Sequence, residues 1–192
     1  MAQYEDLSVG KLKITGGGQI GTLASVTGLS VLHKQSGSIV TSVFTLSNVA
    51  QAVVNGTEYQ GTKLYDFPQG RILVHGVVAT LQQKTTSALA TTLNASSTGA
   101  VSLGTATASA TTLATTMVDL LPSTAFTSSA TVNVAGTAVS APLAASAQFD
   151  GTTTATAIYL NSAFATTADV DGNATMTWSG TITVTWLSLG DY

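Results

Sequence analysis

The sequence contains no cysteine. That excludes a disulfide framework, a thiolate nucleophile and any thiolate metal centre. Charge is nearly as scarce. Asp, Glu, Lys and Arg make up 8% of the chain, against about 25% in ordinary soluble domains. Basic residues stop altogether at Lys84; from Thr85 to Tyr192 there is no Lys or Arg. A nucleic-acid binder needs a dense basic patch to displace counterions, so that class is set aside. No apolar run approaches the ~18 residues of a membrane-spanning helix, and no membrane partner is expected. The opening Met1 to Asp6 is acidic and polar, unlike the basic start and apolar run of a signal peptide.

Thr, Ser, Ala and Gly stand where Lys and Glu usually do. Net charge keeps proteins apart in solution, so such a surface repels its neighbours weakly. The composition therefore points to a surface that packs against copies of itself or a partner; the alternative is an extracellular domain with a bland Thr/Ser surface. The few charges are also polarised. Lys11, Lys13, Lys34, Lys63, Arg71 and Lys84 face only four acids in the first 84 residues, whereas Asp119, Asp150, Asp169, Asp171 and Asp191 stand alone afterwards. At 192 residues a single domain buries roughly 70% of its unfolded surface, enough for a core without staples.

The dominant sequence period is two, the period of a strand. Between Ala174 and Leu187, Met176, Trp178, Gly180, Ile182, Val184 and Trp186 alternate with Thr175, Thr177, Ser179, Thr181, Thr183 and Thr185. This predicts a strand with one apolar and one Thr face. With the looser alternation of Thr154 to Phe164 and the turn dipeptide Asp171-Gly172, residues 154–187 read as a β-hairpin. Arg71 to Gln82 reads as a strand apolar on both faces: Ile72, Val74 and Val78 on one, Leu73, Val77 and Leu81 on the other. Ile39 to Leu46 and Ala50 to Val54 are shorter strands, and Ala100 to Ala108 and Ala130 to Val134 weaker ones. Thr111 to Leu121 has helical spacing but too much Thr for more than a turn or two. Thr85 to Gly99 reads as a long loop or a solvent-facing strand pair. The fold class is all-β: a jelly-roll-like β-sandwich over residues 23–192, at most one or two short helices, and an extended Gly-rich N-terminal arm over 1–22.

No motif carries chemistry. Gly16, Gly18 and Gly21 match a dinucleotide spacing, but no helix or acid follows where one is needed; close backbone packing is the better reading. Asp169, Asp171 and Asn173 resemble the start of a calcium loop without its Gly or its twelfth-position Glu. His33 and His75 have no metal-ligand spacing, and no nucleophile elbow accompanies them. Catalytic residues, metal and cofactors are accordingly not expected. Asn55, Asn94 and Asn173 open glycosylation sequons that chance produces readily in a chain this rich in Thr and Ser. Trp178 and Trp186 share a strand face, where core packing is weighed against a sugar-binding platform. The expected core includes Ile72, Val74, Trp178, Ile182, Val184 and Trp186.

The stretch Tyr65-Asp66-Phe67-Pro68-Gln69-Gly70-Arg71-Ile72-Leu73-Val74 resembles virion structural proteins of tailed bacteriophages. The likeness continues through Ser102-Leu103-Gly104-Thr105-Ala106, Asp119-Leu120-Leu121-Pro122-Ser123 and the run to Trp186. It implies a capsid decoration (cement) protein on the virion surface, made in the host cytoplasm. Such a protein clamps neighbouring capsomers, with the major capsid protein and its own copies, as homodimer or homotrimer, for partners. A receptor- or glycan-binding head or tail module using Trp178 or Trp186 is the alternative. The Gly-rich segment Gly10 to Gly21 suits an arm reaching a neighbour, so Lys11, Lys13, Gly16, Gly17 and Gly18 are candidate interface residues. Arg71 joins them because Arg is enriched at interfaces; the alternative for it is a local ion pair with Asp66 across the Pro-Gly turn.

Overall fold

The computed structural model describes residues 13–14, 18–85, 98–127, 131–135, 139–140, 148–165 and 172–190. Fourteen strands follow in chain order: β1 (Lys13–Ile14), β2 (Gly18–Gln19), β3 (Thr22–Leu23), β4 (Leu29–Ser36), β5 (Ile39–Val53), β6 (Tyr59–Asp66), β7 (Gly70–Thr85), β8 (Thr98–Gly104), β9 (Leu121–Thr127), β10 (Thr131–Ala135), β11 (Val139–Ser140), β12 (Gln148–Gly151), β13 (Ala157–Phe164) and β14 (Ala174–Gly190). One 3-10 turn, Thr115–Met117, is what the helical spacing of 111–121 amounts to. Every pairing among the described residues is antiparallel. The first large sheet runs β10-β7-β14-β5-β4, with β11 and β12 continuing along the β10 side of β7; the second runs β3-β6-β13-β8-β9. The two form a β-sandwich.

β14 is the axis of the first sheet, flanked along nearly its whole length by β5 and β7. Its alternation places Met176, Trp178, Ile182, Val184 and Trp186 in the core, all fully buried. Inward residues of both sheets complete that core, among them Phe44, Val49, Leu64, Tyr65, Ile72, Val74, Val101, Leu103, Leu160 and Phe164. Edge-to-face aromatic contacts tie the layers together: Phe67 meets Trp186 at 5.1 Å, and Phe126 meets Trp178 at 5.3 Å.

Three sequence expectations are corrected. Residues 154–187 are not a hairpin. β13 pairs with β6 and β8 in the second sheet, whereas β14 pairs with β5 and β7 in the first. Each strand is long and apolar enough to occupy the centre of its own sheet, so the connection crosses the sandwich instead of folding back. Val78 does not share a face with Ile72 and Val74. The ladder between β14 and β7 shifts at Thr185/Trp186, opposite Val74 to Gly76. This irregularity reverses the alternation, so Ile72, Val74, Val77, Ala79 and Leu81 are buried while Val78 is 48% exposed. A second bulge joins the two short strands expected before and after Ser47 into the single β5. Asn48 takes φ 56° there, and its N–H donates to Ser179 Oγ at 3.0 Å. Opposite it, Gly180 has φ 135°, and a Cβ on it would lie 2.1 Å from the Thr80 carbonyl oxygen, so only glycine fits.

The segment 105–120 forms a strap over the outer face of the second sheet. Asn161, fully buried on β13, holds it with three hydrogen bonds: Oδ1 accepts from Ala108 N at 2.8 Å, and Nδ2 donates to the carbonyls of Ala106 at 2.9 Å and Met117 at 3.0 Å. Ser102 Oγ adds a bond to Met117 O at 2.7 Å. Beneath the strap Ala108, Leu113, Met117 and Ala163 make a second apolar cluster. Gly61 and Gly104 allow the close approach; a Cβ on either would lie 2.2 Å from a strap oxygen.

Candidate functional site

With the second sheet's outer face strapped over, the outer face of the first sheet is the broad surface left bare among the described residues. The ladder registers sort it into rows crossing β4, β5, β14 and β7. Ser30, Thr45, Thr181 and Thr80 form one row of hydroxyls. Leu32, Val43, Thr183 and Val78 form the next, mainly apolar. Lys34, Thr41 and Thr185 follow. Ser36, Ile39, Leu187 and Leu73 close the face with a second, mainly apolar row. Among the described residues, three of the four exposed large apolar side chains lie here: Leu32 at 52%, Val78 at 48% and Ile39 at 44%. Lys34 is the one charge in these rows; Lys84 and Arg71, both on β7, stand beyond them toward the two ends of the face. Apolar and hydroxyl bands therefore alternate along the strand direction on a surface whose centre holds a single charge, the character of an interface centre and not of an ordinary protein exterior.

Arg71 lies at the margin of the same face, exposed and directly across the ladder from Asp150. The Thr152 hydroxyl and N–H, at 2.6 and 3.1 Å, hold the Asp150 carboxyl below its usual range, and Arg71 adds a smaller pull. Asp66, the neighbour in sequence expected to pair with Arg71, instead binds Lys63 at 2.6 Å. Of the other candidate interface residues, Lys13 and Gly18 lie on the backbone of the small β1–β2 pair, where Ile14 is opposite Gly18. Lys11, Gly16 and Gly17 lie outside the described residues, as do Asp169, Asp171 and most of the loop expected over 85–99. Where a dinucleotide fingerprint would open a helix, the chain forms strands β3 and β4. Asn173 Oδ1 accepts from Asn55 N at 2.8 Å, a contact that ties two turns together. Among the described residues no cluster of three or more His, Asp or Glu could hold a metal ion.

Trp178 and Trp186 are both fully buried, so neither offers a ring to a sugar. Trp186 Nε1 donates to Ser42 Oγ at 2.9 Å, and Ser42 Oγ lies 2.8 Å from His33 Nδ1. An indole N–H only donates, so the Ser42 oxygen accepts from Trp186, while the direction of its bond with His33 follows the imidazole tautomer. Ser42 is fully buried, so this pair is a packing contact beyond a substrate's reach. The His33 ring also meets Tyr65 at 5.6 Å. His75 stands on β7, separated from His33 on β4 by β14 and β5, roughly 14 Å at ordinary strand spacing. The two histidines do not converge.

Burial holds the His33 pKa below its usual value. Unfolded, the residue titrates near 6.5. Between the folded and unfolded values the unfolded chain binds more protons, so stability is full above about pH 6.5 and falls as pH drops through that window. The melting temperature is therefore expected to fall between pH 7.5 and pH 5, and less so in His33→Gln. An equal fall in both proteins counts against His33 as the group responsible. Asp119 acts with the opposite sign. Burial raises its carboxyl above the usual range, although the Thr105 hydroxyl and N–H, at 2.6 and 2.9 Å, pull it down. Folding therefore favours its protonated form, and stability falls as pH rises through that lower window.

No protein-family model matches the chain, and no curated protein matches its sequence.

Proposed function

We propose that this chain is a structural subunit of a many-copy assembly, the capsid decoration role that its sequence resemblance implies. The observation that carries the reading is the banded, nearly uncharged outer face of the first sheet. Such a face loses little by desolvation and gains by burying Leu32, Ile39 and Val78 against a partner. Its mechanism is thermodynamic. A protein that binds the assembled shell and not its separated parts stabilises the shell, and many weak contacts add through multivalency.

The strand order also supports the finer jelly-roll reading. From β5 onward the chain visits the sheets in the order first, second, first, second, second, first, second, first, counting β10–β12 as one edge. The resulting neighbours, β5-β14-β7-β10 and β6-β13-β8-β9, are those of two interlocked Greek keys. The glycan-binding alternative loses its basis with both Trp side chains buried.

The test compares purified particles with and without the protein. Particles carrying it are expected to rupture at a higher temperature; equal rupture thresholds would defeat the clamp reading.

A further inference from the structure

We propose that the outer face of the first sheet docks onto the same face of a second copy of this chain, around a two-fold axis lying along β14. The inference rests on the reading of that face as an assembly surface and names its occupant.

Two sheets stack face to face with their strands nearly aligned, within about 30°. A two-fold axis in the plane of the face, parallel to the strands, exchanges left with right but leaves height along the strand unchanged. Each band then meets its own counterpart, apolar on apolar and hydroxyl on hydroxyl.

The central strand decides for a copy over a different partner. Residues on the axis meet themselves, which a like charge cannot tolerate. A Thr hydroxyl both donates and accepts, so it pairs with its own copy. β14 lies midway between β4 and the β10–β12 edge, and its outward positions here are Thr181, Thr183 and Thr185. Lys34 sits on β4, two strands from the axis, so its copy lies about 19 Å away at ordinary strand spacing. Lys84 and Arg71, on β7 beyond the rows, lie one strand from the axis and about 10 Å from their copies, also beyond the roughly 8 Å over which salt screens at physiological ionic strength. The size of the face also fits. Four strands by four rows span about 500 Å² in projection, and side-chain relief raises the accessible area toward the roughly 800 Å² per partner of a standard interface.

The test is sedimentation equilibrium of the full chain across a wide concentration range, with circular dichroism confirming that each variant is folded. Wild type is expected to dimerise reversibly. Thr183→Lys and Thr183→Glu each place a charge against its own copy and are expected to weaken the dimer at least tenfold. Mixing the two variants is expected to restore it, since unlike charges then meet at the axis. Lys34→Glu is expected to change the dimer constant less than twofold. A wild type that stays monomeric at every concentration overturns the proposal, as does a dimer that both Thr183 variants leave intact or that mixing fails to restore. If that monomer still raises the rupture temperature of particles, the assembly role stands and only self-docking falls.

Discussion

Trp178→Ala is expected to remove a large part of the domain's stability, whereas Trp178→Phe removes far less. Trp178 is fully buried at the centre of the sandwich. Its ring meets Phe126 edge-on at 5.3 Å, and its Nε1 donates to Gln51 Oε1 at 2.8 Å. Truncating a buried Trp to Ala costs about 3–5 kcal/mol through lost transfer energy and the cavity left behind. A whole domain has roughly 5–15 kcal/mol to lose. Trp178→Phe keeps an aromatic body against Phe126 and forfeits mainly the indole bond and some volume, about 1–2 kcal/mol. Gln51 Oε1 still accepts from Ser162 Oγ at 2.8 Å, so the amide is not orphaned. Denaturant midpoints of the three proteins measure this order. A Trp178→Ala protein within about 1 kcal/mol of wild type would contradict a core centred on β14.

That prediction concerns the element most legible in the sequence. Five alternations of Thr with large apolar residues admit one strand register, and the large apolar residues that the pattern names are the buried ones. Legibility fails where structure depends on a neighbour distant in sequence. The irregularity at Val74 to Gly76 is set by how β7 lies on β14, and it alone turns Val78 outward. The crossing between β13 and β14 depends on which sheet each strand joins, which local turn chemistry does not record. Buried polar residues hide for a different reason. Gln51, Asn161, Ser162 and Ser102 look like surface residues until their partners are known. The docking face was half legible. Its Thr side followed from the alternation, but Val78 reads as sharing the face of Ile72 and Val74, and Leu32 and Ile39 carry no assignment, because an apolar residue in a strand gives no sign of which layer lies opposite.

Asn161→Asp, a change of one side-chain amide to a carboxyl, is expected to release the strap and expose a second sticky face. The two donors on Nδ2 disappear, and a carboxylate then faces the carbonyl oxygens of Ala106 and Met117 that the amide had satisfied. Each buried group left unsatisfied costs about 1–3 kcal/mol, so a loss of about 3–5 kcal/mol is expected at pH 7. Burial and the two carbonyls favour the protonated acid in the folded state, raising its pKa above the unfolded value near 3.9. The loss is therefore smallest below that pH, where the acid still donates one bond, and grows as pH rises through the folded value. Denaturant midpoints at pH 4 and pH 7 measure this trend, and limited proteolysis near Leu113 and Met117 reports the strap itself. A variant within about 0.5 kcal/mol of wild type at pH 7 with an uncut strap would show that Asn161 does not hold it. The consequence reaches function. Release uncovers Ala108, Leu113, Met117 and Ala163 on the side opposite the banded face. Two unrelated apolar faces on one molecule make open-ended contacts that do not close. A strapped second sheet is thus what confines association to the first, so Asn161→Asp is expected to convert ordered assembly into precipitation.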